Sequence, residues 1–306
     1  MRVVQDPARG PVQVQEQEQP ILQYQFRTVE PGDLLSRVAP ANLIYARPRS
    51  DYLHPLHGPH GEILTRDWPV DHPHHRGIYW AWPEVGYQGK TGDLHALQHV
   101  FARPQGEVQS QGGPNVARIE AENLWWWEDQ VPIVRERAIM HAHRATAQGR
   151  AIDLEFQFIA LAEGVTLARR DTRLYGGLNV RLATPTNQTI QTHLDPSDAQ
   201  PRRAWSDLSG KFDGTHHAGL MILQHRDNPE YPGDWIQYPE LSWCQPTFPT
   251  AGTRFSLRTD QTLTLRYRLW IHDGSTPSPD DARALWDAYH ASVPGPEHPS
   301  VSGHVP

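Results

Sequence analysis

The sequence predicts an all-β fold, a large two-sheet antiparallel β-sandwich with one C-terminal helix. Three observations lead there. The 306 residues carry 28 prolines and 23 glycines, too much punctuation for many long helices. Two segments alternate apolar and polar residues with a period of two. No internal repeat and no shift in composition marks a linker, so a single domain accounts for the length.

Residues 1–20 are polar and Gln/Glu-rich, and read as a loose tail or an edge strand. From Gln23 onward, short strands alternate with turns. Ile152, Leu154, Phe156 and Phe158 alternate with Asp153, Glu155 and Gln157, which gives a strand with one buried face. Leu263, Leu265, Tyr267, Leu269 and Ile271 repeat the pattern, and Asp273-Gly274 stops it. Weaker strand signals lie at 42–47, 77–82, 117–122, 132–143, 177–182, 188–193 and 218–225. One helix is well signalled. Ser278 is its N-cap, Pro279 its first residue, and Asp280 and Asp281 suit the positive end of the dipole. Residues 21–293 are expected to form the sandwich, a single catalytic domain. The Pro/Gly/His-rich residues 294–306 are expected to be a disordered tail.

Composition bounds the function. Asp+Glu exceeds Lys+Arg, 35 to 28, and the net charge of −7 argues against nucleic-acid and anionic-membrane partners. The single cysteine, Cys244, excludes an internal disulfide and a zinc-thiolate site. No apolar run approaches the ~20 residues needed to span a bilayer. The first residues lack the apolar core of a signal peptide, so a cytoplasmic location is expected.

Chemistry is signalled most strongly at Asp71-His72-Pro73-His74-His75-Arg76, followed by Gly77. Six of the 18 histidines lie between 54 and 75, and Thr65-Arg66-Asp67 leads into the cluster. Pro73 forbids a central strand, which makes 67–76 a loop feeding the strand Gly77–Trp82. Two functions compete for it. In one, His74 or His75 is a general acid or base oriented by Asp71 or Asp67, with Arg76 holding an anionic or carbonyl group. In the other, two histidines and a carboxylate hold a metal. A solvated, hydrogen-bonded loop is the plainer alternative. Trp125-Trp126-Trp127 must point to both faces of a strand, so one indole is free for a groove where a sugar face can stack. Packing in the core is its rival use. Arg181, after Gly176-Gly177, points to one face of its strand and is either a binding group or a surface ion pair. His225, Asn228 and His272 end strands near turns, and Asn228 is also a common turn former. Gly-x-Ser-x-Gly, His-Glu-x-x-His and Gly-x-Gly-x-x-Gly motifs are absent.

These segments, together with Ala204-Trp205-Ser206-Asp207-Leu208-Ser209-Gly210, Arg266-Tyr267-Arg268 and His272-Asp273-Gly274, resemble the bacterial PmoA-like family. That family is labelled "methane oxygenase PmoA" or left as a domain of unknown function, and the resemblance spans roughly residues 40–290. A membrane oxygenase is at odds with a chain that shows no spanning segment. The resemblance implies instead a supersandwich-like fold of the galactose-mutarotase kind, with sugar chemistry on the concave sheet. It carries His74, His75, Arg76, Arg181, Asn228 and His272 over as site residues. Gln224-His225 departs from the family's usual Asp-His pair.

The expectation is therefore a carbohydrate-active enzyme performing glycoside cleavage, elimination or epimerisation. His74, His75, Arg76 and His272 would be catalytic. His54, Asp67, Arg181, His225, Asn228, Trp80 and Trp126 would bind a small-molecule carbohydrate in a Trp-lined cleft. That expectation includes no cofactor. The first alternative is a metal-dependent enzyme with one divalent ion on His54, His74 and His75. The second is a non-catalytic sugar-binding module.

Overall fold

The computed structural model describes residues 1–5, 10–193, 204–274 and 276–291. It is an all-β sandwich of two eight-stranded antiparallel sheets with a small four-stranded sheet beside them. The first large sheet runs, in spatial order, through Arg2–Gln5, Pro11–Glu16, Gln19–Gln25, Tyr52–Leu56, Ile78–Ala81, Gly177–Arg181, Trp243–Pro246 and Trp235–Tyr238. The second runs through Thr186–Thr192, Trp205–Lys211, His217–Gln224, Leu263–Asp273, Arg150–Ala160, Val131–His143, Val116–Trp127 and Val100–Gln111.

Alternation decides what each sheet buries. Leu263, Leu265, Tyr267, Leu269 and Ile271 face the core, as do Ile152, Leu154, Phe156 and Phe158 on the neighbouring strand. Ile78, Trp80, Leu178, Val180 and Cys244 answer from the first sheet. Trp80 seals the contact between the sheets, edge-on to Phe156 at 4.9 Å and to Phe158 at 5.0 Å. Residues between these positions on the first sheet point the other way. Tyr52, Tyr79 and Ala81 form a separate buried cluster there, and Asn179, Arg181, Trp243 and Gln245 share that face. Polar residues so buried on a face turned from the core mark where loops fold back over it.

The C-terminal helix, Pro279–Ala291, is capped as its sequence predicts: Asp281 N donates to Ser278 Oγ at 3.2 Å. Ala282 and Tyr289 pack onto Trp205, Met221 and Leu223, on the outer face of the second sheet. The described part of residues 1–20 forms edge strands of the first sheet. The tail 294–306 lies outside the described residues. Residues 42–47 are not a strand. Pro40–Tyr45 is a 3₁₀ turn, which suits a segment opened by Pro40 at its first position.

Candidate functional site

Three loops converge on the outer face of the first sheet. The first, residues 67–76, is closed by the Asp67–Arg76 bridge and by Trp68 N donating to His75 O at 3.2 Å. Arg76 clamps it: the guanidinium ion-pairs with Asp67, donates to the Tyr52 hydroxyl and lies 3.5 Å from the Trp68 ring centre. Gly77 ends the loop at φ +71, where a Cβ would stand 2.3 Å from Leu53 O, so only glycine lets the chain enter its strand there. The second loop is the turn Asp93–Gln98. Asp93 Oδ1 accepts from Ala96 N at 2.8 Å, and its other oxygen pairs with Arg170 Nη2 at 2.6 Å. The third carries the Pro40–Tyr45 turn, tied to the first where Asn42 Nδ2 donates to Asp71 O at 3.3 Å.

The loops deliver three imidazoles to one point. Single donor atoms of His74, His75 and His95 all lie within 4.8 Å of one another. Their ring centres are 4.7 Å (74–75), 4.5 Å (74–95) and 5.3 Å (75–95) apart. Nδ1 of His74 and of His75 is buried without a hydrogen-bond partner. His95 Nδ1 is held by the Tyr79 hydroxyl at 3.0 Å. Burial, then the neighbouring His72, pushes His74 down to about 3. Burial, then His74, holds His75 and His95 well below the ordinary imidazole range. Three neutral imidazoles with free nitrogen lone pairs are a donor set for a divalent transition metal. His72 stands at the solvent side, its side chain 37% exposed and hydrogen-bonded to Asp71 at 3.1 Å.

Around the imidazoles the surface is aromatic and cationic. Trp243 lies 4.7 Å from His75 and stacks on Tyr238 at 4.9 Å, while Tyr45 and Tyr175 flank His74 and His95. Arg49 passes beneath, donating to Leu94 O at 2.6 Å and His95 O at 2.8 Å. Arg181, directly across from Trp243 in the strand register, is 2% exposed. It has no ion pair or side-chain hydrogen bond to any described residue, and its Nε and Nη1 are unpartnered. Burial depresses it, though only to about 10, so it stays charged near neutral pH.

Of the residues expected from the sequence, His74, His75 and Arg181 meet here, and Arg76 holds the loop that presents the two histidines. The others have different places. His54 Nδ1 is hydrogen-bonded with Thr65 Oγ1 at 2.9 Å and is not among the clustered donor atoms, where His95 stands instead. Asp67 is engaged by Arg76 rather than orienting a histidine. Trp80 is a core residue, not a cleft wall, because its position points inward. Trp126 sits half-buried between inward Trp125 and Trp127, on the outer face of the other sheet. His225 packs against Tyr289 and His290 of the C-terminal helix. Asn228 clips the backbone of Arg266, donating to its carbonyl at 2.8 Å and accepting from its N–H at 2.7 Å. His272 is on the second sheet, 2.8 Å from buried Asp207, and borders a separate cavity of about 500 Å³ beside the helix. His95 gave no sequence signal, being a lone histidine among Leu94, Ala96 and Leu97. Its one hint is the turn-forming Asp93 two residues before it.

No curated protein matches the chain. Among the solved structures that match, two align as follows. A candidate aldose 1-epimerase from Escherichia coli K12 is 11% identical with a TM-score of 0.33, over 69% of this chain and 89% of its own. A candidate kojibiose phosphorylase from the human microbiome is 7% identical with a TM-score of 0.33, over 70% of this chain and 25% of its own. Likenesses this low carry no argument about activity. A family model matches residues 11–287, nearly the whole described sandwich, and its description does not carry the PmoA-like label. The chain therefore belongs to DUF6807, a family of unknown function.

Proposed function

We propose that this chain is a metal-dependent enzyme acting on a small carbohydrate-class substrate at the outer face of the first sheet. One observation carries the metal: three imidazoles, His75 and His95 buried and His74 partly so, whose donor atoms lie within 4.8 Å of one another. His74, His75 and His95 would hold one divalent transition ion, which when bound supplies a Lewis acid for a substrate oxygen. The Tyr79 hydroxyl on His95 Nδ1 is the kind of outer contact that orients a ligating imidazole. The half-buried rings of Tyr175 and Tyr238 beside Trp243, and of Tyr45 beside His74, support the substrate class, since flat apolar faces edged by polar groups suit a sugar ring. Arg181 adds a fixed positive charge to position substrate oxygen.

Elemental analysis of protein purified without an affinity tag tests this. About one transition-metal ion per chain is expected, and it should be lost in His74→Ala, His75→Ala and His95→Ala alike. Metal-free protein that still turns over its substrate would return the site to metal-independent acid–base chemistry. Saturable sugar binding with no product would make it a binding module.

A further inference from the structure

We propose that Arg181 is the seat of a carboxylate, so that the substrate is a sugar acid or another hydroxylated carboxylate; this deepens the function above and rests on it only for the substrate's second contact. Burying an ion without a partner is among the costliest arrangements a fold can hold. The other buried arginines among the described residues avoid it. Buried Arg76 has Asp67, and buried Arg169 has Asp234 at 3.2 Å together with two backbone carbonyls. Buried Arg49 has the carbonyls of residues 94 and 95. Among the described buried arginines, Arg181 alone has none of these. Asp71 and Glu240 bear on its charge, but neither forms an ion pair with it.

The unpaired groups beside it tell which chemistry is missing. Trp243 Nε1 and Gln245 Nε2 are buried donors without acceptors, on the same face of the adjacent strand. The Gln245 amide cannot be turned to hide this, because its Oε1 already accepts from Gly176 N at 2.9 Å. Arg181 contributes two more orphaned N–H groups; apart from the imidazole nitrogens of His74 and His75, the orphaned acceptor on this face is Asn179 Oδ1. A surface so rich in donors calls for a ligand rich in acceptors. No described residue bonds Nη2 of Arg181 either, so each edge that pairs Nη2 with orphaned Nε or Nη1 is open to a planar monoanion, and a carboxylate accepts two parallel N–H bonds from such an edge.

Calorimetric titration of the full chain loaded with zinc, using glycolate, D-galacturonate, D-galactose and inorganic phosphate, tests the assignment. The two carboxylates are expected to bind at least about tenfold more tightly than galactose or phosphate. That advantage should vanish in Arg181→Gln and survive in part in Arg181→Lys, with the zinc content of both variants unchanged. Failure of both carboxylates to bind, equal binding by Arg181→Gln, or a preference for phosphate would overturn it. If the protein holds no zinc but carboxylates still bind through Arg181, the metal reading falls and this one stands.

Discussion

The hydroxyl of Tyr79 lies 3.0 Å from Nδ1 of His95, and the two rings are nearly parallel, 1° apart. Strand and loop thus hold the imidazole in one orientation beside His74 and His75. Tyr79→Phe keeps the ring and removes the hydrogen bond. Metal affinity should fall about 10- to 100-fold with little change in fold, as measured by competition with a chromophoric chelator. Unchanged affinity would show that the hydroxyl has no part in holding His95.

Arg181 is a cost to the fold in the absence of its ligand. Arg181→Met, similar in reach and uncharged, should therefore raise stability by about 1–3 kcal/mol in urea denaturation. A loss of stability would mean that the guanidinium is satisfied in solution.

The two tryptophans expected to wall a cleft separate cleanly by face. Trp80→Ala removes the ring wedged between the sheets and should cost about 3–5 kcal/mol. Trp126→Ala, on the outer face of the other sheet, should cost no more than about 1 kcal/mol and leave ligand binding intact. Equal costs would contradict the inward placement of Trp80.

A buried acid pair sets the pH dependence of stability. Glu136 accepts from Trp125 Nε1 at 2.7 Å, and Asp51 accepts from the Tyr24 hydroxyl at 2.7 Å. Burial, then the neighbouring Asp51 carboxylate, pushes Glu136 well above the usual carboxylate range, and burial raises Asp51 as well. Above about pH 4 the folded state thus binds more protons than the unfolded chain, so this pair's contribution to stability falls as pH rises toward the raised values. Glu136→Gln removes one of the two acids at nearly constant shape. Its denaturation midpoint should exceed the wild type's at about pH 8, with the difference shrinking toward about pH 4. A difference that does not depend on pH would contradict the linkage.

The fold was legible where alternation was undisturbed. Residues 152–158 and 263–271 read directly as strands because each has one face in the core. Val100–Gln111 did not, being an edge strand with Pro104 and a register shift between Gln105 and Gln109 that blur any period. The site was legible as far as local clustering reaches. His74 and His75 stand out in six residues, whereas His95 comes to them only through the Asp93 turn. His225, Asn228 and His272 read as site residues because they end strands near turns. Strand ends occur on both sheets, and the sequence does not say which sheet a given end belongs to. Trp80 shows the same limit within one strand: periodicity separates its two faces without naming the one that meets solvent.

Diffraction from crystals of untagged protein, with anomalous differences collected above the absorption edge of the metal found by elemental analysis, would show whether His74, His75 and His95 hold an ion. One strong anomalous peak bounded by the rings of His74, His75 and His95 is expected. A well-ordered site with no peak among those three imidazoles would contradict the proposed metal site.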